Sequence, residues 1–312
     1  MTPSRNPALR LTSSLYNLPY LLLPLAVLFW SANFVIGRAV RADVPPVGLA
    51  FWRWTGAFLI VIGFAWPHLR VDWPALRKHW AIVTLLAFLG IASFNTLVYT
   101  GLQTTTAINA LLLQALMPVL IVLFSFLIFR DQVGWLQAVG IAISVAGAFT
   151  IIVQGNLAVL RSLSINRGDL IVFTAVVGYA GYSTLLRKRP PLHPLSFLAA
   201  TFFLGALMNL PFYTWESLAG RPVQINGPML LAVGYVMLFP SVISYFCYNR
   251  GVDLVGANRA GLFINLLPVF GSILAVAFLG ERFTWYQAVG ILLIACGIFL
   301  ATRTGRHKQH DA

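Results

Sequence analysis

The stretch Trp135-Leu136-Gln137-Ala138-Val139-Gly140-Ile141 returns 150 residues later as Trp285-Tyr286-Gln287-Ala288-Val289-Gly290-Ile291. The same offset carries Gly147 onto Gly297. Upstream it carries Gly101, Ala107, Ala110, Leu112, Leu116, Pro118 and Val119 onto Gly251, Ala257, Ala260, Leu262, Leu266, Pro268 and Val269, with no gap over about fifty positions. An acidic turn precedes each copy, Arg130-Asp131-Gln132 in one and Gly280-Glu281-Arg282 in the other. The chain is therefore a duplication.

Both copies lie in apolar surroundings. Hydrophobic residues make up 59% of the 312, charged residues 9%, and the mean hydropathy is +0.83, whereas about 25% of a soluble chain is charged. A soluble fold, a disordered chain and a coiled coil are all excluded. Runs of about 20 apolar residues bounded by charge, Pro or Gly give ten spans, each able to cross about 30 Å of hydrocarbon. They fall near 20–40, 46–66, 79–102, 105–129, 133–153, 168–187, 194–213, 228–250, 255–279 and 284–303. The expected class is an all-α polytopic membrane protein. Residues 1–19 and 304–312 read as cytoplasmic ends, 20–153 and 168–303 as two five-helix repeats, and 154–167 as an external connection. The polar piece from Pro67 to Lys78 reads as a loop. The first span follows Arg5 and Arg10 as a signal sequence would, but it runs long and lacks a small-residue cleavage site, so it reads as a retained helix.

Sidedness follows from the basic residues. One set comprises Arg5, Arg10, Arg70, Arg77, Lys78, Arg130, Arg187, Lys188, Arg189, Arg250, Arg259, Arg303, Arg306 and Lys308, fourteen in all. The other comprises Arg38, Arg41, Arg161, Arg167, Arg221 and Arg282, six in all, with Arg53 left inside a span. The positive-inside rule then places both termini in the cytoplasm, which needs an even number of spans. The net charge of +13 is accounted for by clusters that face anionic headgroups of the lipid bilayer, and no nucleic acid partner is expected. Five spans per repeat is odd, so the second repeat enters the membrane from the side opposite to the first. Inverted repeats are the recurring architecture of carriers that alternate access between two faces.

Several of these residues carry a family resemblance. Pro118 and Pro268, the acidic turns at Asp131 and Glu281, Gln137-Ala138-Val139-Gly140 with Gln287-Ala288-Val289-Gly290, the opening Phe29-Trp30-Ser31-Ala32-Asn33-Phe34 and Arg53 resemble the two EamA repeats of the drug/metabolite transporter superfamily. The aromatic residues are most similar to those of its aromatic amino acid exporter branch. The resemblance implies ten helices, with one to four and six to nine around a central cavity and five and ten peripheral. It also implies export of amino acids, aromatic and other neutral ones, or related small metabolites across the inner membrane.

Centring each span in the bilayer brings Trp30, Asn33, Trp54, Gln114, Tyr179, Tyr182, Tyr245 and Asn265 within about two turns of mid-depth, with Ser241 and Ser244 among them, and Tyr99 joins them as a candidate cavity aromatic. Trp and Tyr ordinarily gather at the headgroups. At mid-depth they either line an aromatic cavity for a planar solute or fill the packing between helices, and both readings stand. Asn33 and Asn265 are expected to face a cavity, because an amide in lipid has no partner. Arg53 lies about 10 Å below the start of its helix, where it holds a substrate carboxylate, snorkels to the outer surface or caps helix ends. Pro118, Pro240 and Pro268 fall within spans four, eight and nine, as hinges for alternating access or as static bends. The glycine pairs Gly140/Gly147 and Gly290/Gly297 are expected to let helices approach closely, within the chain or across a weak homodimer, so the state is monomer or weak homodimer.

No acidic residue falls near mid-depth, so facilitated efflux leads and a proton-coupled antiporter of the same family is the alternative. A non-transporting scaffold is the other alternative. No metal-binding His motif, acid cluster or phosphate-cradling glycine loop occurs, so no enzyme, cofactor or metal is expected. Cys247 and Cys296 read as thiols of the core.

Overall fold

The computed structural model describes residues 15–39, 44–162, 166–279 and 282–303. Arg5, Arg10, Arg41, Glu281 and the tail 304–312 lie outside the described residues, as do the side chains of Arg38 and Arg161. Among the described residues there are ten helical spans. The first, α1, is Pro19–Ala39. The remaining nine are long and apolar enough to cross a membrane: α2 Pro46–Lys78, α3 Trp80–Gly101, α4 Ile108–Phe129, α5 Trp135–Ile152, α6 Arg167–Lys188, α7 Pro194–Leu218, α8 Gly227–Val255, α9 Ala257–Phe278 and α10 Trp285–Arg303.

The segment expected as a loop from Pro67 to Lys78 is helical and belongs to α2, which runs for 33 residues. Its charges and two prolines resemble a loop in sequence, yet their spacing permits a helix. Pro67 and Pro74 stand seven apart, almost two turns, and so share the exposed side. Leu69 and Leu76 share the other and pack into the core. At about 1.5 Å per residue α2 reaches about 50 Å, well beyond the hydrocarbon it crosses. Its start is fixed from outside the helix: the Glu216 carboxylate of α7 accepts from the backbone N–H of Gly48 at 2.8 Å and of Val47 at 3.4 Å. Those donors have no partner in the first turn of α2, and an anion there also opposes the positive end of the helix dipole.

The long spans are interrupted in pairs. In α3 a π-helical segment covers Ala87–Ser93 and in α8 another covers Leu238–Ile243, so the 150-residue offset relates them. In α4 the helix breaks at Leu116 and resumes at Met117. In α9 a 3-10 segment, Phe263–Leu266, precedes a new helix at Leu267. Pro118 and Pro268 were expected to bend continuous helices. Each instead occupies the second position of a fresh helical segment, where its missing N–H costs nothing. Pro240 sits inside the α8 π-segment.

The outlying pair, α5 and α10, pack on one another through the repeated glycines. A Cβ on Gly140 would stand 2.6 Å from the Gly297 carbonyl oxygen, and one on Gly147 2.7 Å from that of Gly290. The glycine seam is thus closed within the chain and leaves no glycine face for a homodimer there. Cys247 is buried, but Cys296 is exposed on α10, contrary to the expectation of two core thiols.

Candidate functional site

Arg53 organises the centre of the bundle. It is 1% exposed and finds five acceptors, all uncharged. Its Nε donates to Ser241 Oγ at 2.7 Å. Nη1 donates to Asn95 Oδ1 at 2.8 Å, to the Tyr99 hydroxyl at 3.1 Å and to Asn33 Oδ1 at 3.4 Å, and Nη2 to the Pro240 carbonyl at 3.0 Å. Its guanidinium also lies 4.7 Å from the centre of the Trp54 ring. Snorkelling of Arg53 to the surface is excluded by this burial, whereas its bond to the Pro240 carbonyl at the interruption of α8 is a helix-capping contact. No carboxylate among the described residues pairs with it, so the site keeps a net positive charge in an apolar setting.

The π-segments supply part of this shell. The N–H of Ser244 bonds back to Phe239 O, five residues earlier, so the α-helical pairing of Ser244 with Pro240 is lost. The Pro240 carbonyl accepts from both Arg53 and Trp30 Nε1, the latter at 2.9 Å. At the position 150 residues earlier the Gly90 carbonyl, inside the α3 π-segment, accepts from the Tyr245 hydroxyl at 2.5 Å. Equivalent carbonyls of the two repeats thus turn toward the same centre.

Beside Arg53 lies a cavity of about 30 Å³ lined by Trp30, Asn33, Arg53, Phe94, Asn95, Val98, Tyr99, Met117, Tyr179, Tyr245 and Ile264. It has room for about two waters. Rings surround it: Trp30 meets Tyr179 and Tyr245 edge-on at 5.9 and 5.8 Å between centroids, and Tyr179 meets Phe94 at 4.6 Å. Two polar atoms on its lining, Asn95 Nδ2 and the Tyr179 hydroxyl, are buried with no well-formed hydrogen bond, both lying near the Tyr245 side chain. An unmet buried polar group costs about 1–3 kcal/mol. Together with the arginine, these donors are arranged to receive an anionic group next to a flat apolar body.

Six of the ten candidate binding residues, Trp30, Asn33, Arg53, Tyr99, Tyr179 and Tyr245, come together around this cavity. Four do not line it. Trp54 stands behind Tyr245, packed edge-on at 5.3 Å and against Phe202 at 5.2 Å. The Tyr182 hydroxyl donates to Asn249 Oδ1 at 2.8 Å. Asn265, expected to face the cavity, donates instead to Ser144 of α5 at 3.0 Å. Gln114 is buried with its amide donor, Nε2, unpartnered. Asn95 escaped the sequence reading although it lies one turn before Tyr99 on the same helix face. The cavity draws on α1, α2, α3, α4, α6, α8 and α9, with α5 and α10 outside it, as the resemblance implied.

Below the cavity, toward the end of the bundle bearing Arg187, Lys188 and Arg189, polar contacts join α6 to its neighbours. Ser183 and Tyr248 share a hydrogen bond of 2.9 Å, Arg189 pairs with Asp253 at 2.7 Å, and Arg187 with Asp131 of the α4–α5 turn at 2.5 Å. At the other end Asp169 caps α6 through Asn166. It also accepts from Asn109 Nδ2 at 3.0 Å and from the Thr105 hydroxyl, tying α6 to α4.

The model of the EamA-like transporter family matches residues 17–153 and 166–303. The chain is 30% identical over 289 residues to the uncharacterized transporter YyaM of Bacillus subtilis (strain 168), covering 91% of this chain and 93% of that one. It is 25% identical over 294 residues to the uncharacterized inner membrane transporter YicL of Salmonella typhimurium, covering 92% and 96%. A solved structure described as the crystal structure of a protein shares the fold with a TM-score of 0.73 at 20% identity, over 91% of this chain and 97% of that one. With both repeats matched by one family model and the same ten-helix plan in the structure, the chain belongs to the EamA-like transporter family.

Proposed function

We propose that this multi-pass transporter exports amino acids, aromatic and other neutral ones, and related small metabolites across the inner membrane, through alternating access of the central cavity. The observation that carries the reading is Arg53, a buried cation whose partners are all neutral, set beside a ring of aromatic side chains. A solute carboxylate would supply the missing counter-charge, with charge-assisted bonds worth about 1.5–3 kcal/mol. Its side chain would lie against Trp30, Tyr179 and Tyr245, whose ring contacts contribute ~0.5–1.5 kcal/mol each.

The cavity admits only water-sized contents, so loading requires the helices around it to part. The Tyr182–Asn249, Ser183–Tyr248 and Arg189–Asp253 contacts are the ones that separate when the basic end opens. The two units, 20–153 and 168–303, exchange conformations as they rock, with Pro118, Pro240 and Pro268 at the interruptions where the helices hinge. The basic end faces the cytoplasm by the positive-inside rule. Efflux runs down the solute gradient: the buried carboxylates among the described residues, Asp169 and Glu216, sit at span ends and are engaged in capping.

The test is counterflow in liposomes preloaded with unlabelled solute. Labelled tryptophan should enter faster under opposing tryptophan, and tryptophanamide, which lacks the carboxylate, should compete at least about tenfold less well. Equal competition by the amide removes Arg53 as the carboxylate site, and absence of any trans-effect removes the carrier.

A further inference from the structure

Residues 66–80 hold a second, much shorter tandem repeat: Trp66-Pro67-His68-Leu69-Arg70-Val71-Asp72 is followed by Trp73-Pro74-Ala75-Leu76-Arg77-Lys78-His79, and a third tryptophan, Trp80, opens α3. Seven residues are nearly two helical turns, so Trp66 and Trp73 align along one side of α2 and Arg70 and Arg77 along another close by, while Trp80, beyond the break at His79, lines the same groove from α3. All three tryptophans are more than half or half exposed, at 50, 55 and 66%. Between them and α7 runs a groove of about 590 Å³, outside the bundle and distinct from the central cavity. Its walls are apolar. The small side chains of Ala199 and Ala200 on α7 leave room for it, and Arg77 is among its lining residues. A groove of this size is within the ~300–1,000 Å³ usual for ligand pockets.

Charge settles what kind of molecule fits. Arg70, Arg77 and Lys78 are exposed, and none has an acidic partner among the described residues. The nearby Asp72 accepts from the backbone N–H of His193 at 2.9 Å. Arg70 lies over the Trp66 ring at 5.0 Å, so it is held at the depth where indoles prefer to sit, between hydrocarbon and headgroups. An apolar trough that ends under unpaired cations, at interfacial tryptophans, matches one molecule lengthwise: acyl chain in the trough, anionic headgroup at the cations.

We infer that the groove between the end of α2, the start of α3 and α7 is a binding site for one anionic phospholipid, held by an acyl chain over Ala199 and Ala200 and by its phosphate at Arg70, Arg77 and Lys78. The site steadies the projecting end of α2 against α7, independently of what the central cavity carries.

The experiment is native mass spectrometry of the whole protein in neutral detergent, titrated with phosphatidylglycerol or with phosphatidylcholine of the same acyl chains. The expected result is one retained phosphatidylglycerol, bound at least about tenfold more tightly than phosphatidylcholine. The triple substitution Arg70→Gln, Arg77→Gln and Lys78→Gln should abolish that preference, and Ala200→Trp, which fills the trough, should lose the retained lipid of either kind. The triple substitution changes exposed residues, so it decides the matter even if Ala200→Trp fails to fold. Equal retention of the two lipids by the unaltered protein overturns the inference, as does an unchanged preference in the triple variant or a dimer that excludes lipid from the groove.

Discussion

Arg53 holds its neighbours as much as they hold it: five neutral acceptors converge on one guanidinium. Lysine, a point charge with three donors and no planar fork, cannot serve them all. Arg53→Lys should therefore weaken solute binding about tenfold or more in liposome competition, while the protein remains folded enough to purify. Transport indistinguishable from the unaltered protein would mean the planar fork is not needed. Trp30 and Trp54 are separable in the same way. Trp30 lines the cavity, so Trp30→Ala should lower the preference for aromatic over small solutes. Trp54 is fully buried behind Tyr245, so Trp54→Ala should chiefly cost stability, ~3–5 kcal/mol, read as a lower unfolding temperature in detergent. At the basic end His193 stacks on His68 at 3.6 Å and caps α7 by accepting the Leu195 N–H. Partial burial and the neighbouring His68 depress its pKa below the ordinary value near 6.5, against a smaller opposing pull from Asp72. The fold thus favours neutral His193, and this stability is complete above about pH 6.5 and lost as pH falls through the lower, folded-state value. The unfolding temperature should drop between about pH 7.5 and about pH 5.5, and His193→Asn, which keeps a capping acceptor, should flatten that drop.

The elements most informative about function are the interrupted ones. A continuous α-helix uses every interior carbonyl, whereas the π-segments of α3 and α8 present Gly90 O and Pro240 O to cavity side chains. Such segments recur at functional sites for this reason. Gly90 is also where the Tyr182 ring lies against the helix, in the space that a Cβ would take. Gly90→Ala should push that buried ring and the Tyr182–Asn249 contact out of place, lowering stability by ~1–3 kcal/mol as well as altering transport. Stability alone governs the glycine seam. Gly147→Val drives a branched side chain toward the Gly290 carbonyl, 2.7 Å from the first added carbon, and overpacking of this kind costs ~1–3 kcal/mol. The variant should unfold at lower temperature yet keep its solute selectivity, because α5 and α10 lie outside the cavity.

At the scale of the whole molecule two expectations concern how the bundle sits and what drives it. Reporters fused after Arg189 and after Arg303 should read cytoplasmic and one after Arg161 external, on the fourteen-to-six basic asymmetry. An external reading after Arg303 would contradict the even span count. In sealed liposomes, collapsing a pH gradient should leave the initial rate of solute efflux within about twofold, ~0.4 kcal/mol in barrier. Proton flux that appears on adding solute would sink uncoupled efflux and point to the protonation of solute bound at Arg53.

The duplication, the number of spans and the family are written in the chain, because hydrophobic length, breaks and repeated small residues are local properties that survive without a folded context. Arg53 was legible as an anomaly for the same reason: a cation in an apolar run has to be accounted for somewhere. Its partners were not. Asn33, Asn95, Tyr99 and Ser241 come from three helices, and which of many polar residues meet depends on helix rotation and crossing, set by packing across the bundle. The same holds for Asn265 and Trp54, whose mid-depth positions looked equivalent to that of Trp30 but whose faces turn toward α5 and α7. The end of α2 shows the reverse failure. Charges and prolines gave Pro67–Lys78 the local look of a loop, and the contact of Leu69 and Leu76 with the core keeps it helical. Sequence sets what each segment can be and how deep it lies, while tertiary packing decides which side of it meets which neighbour.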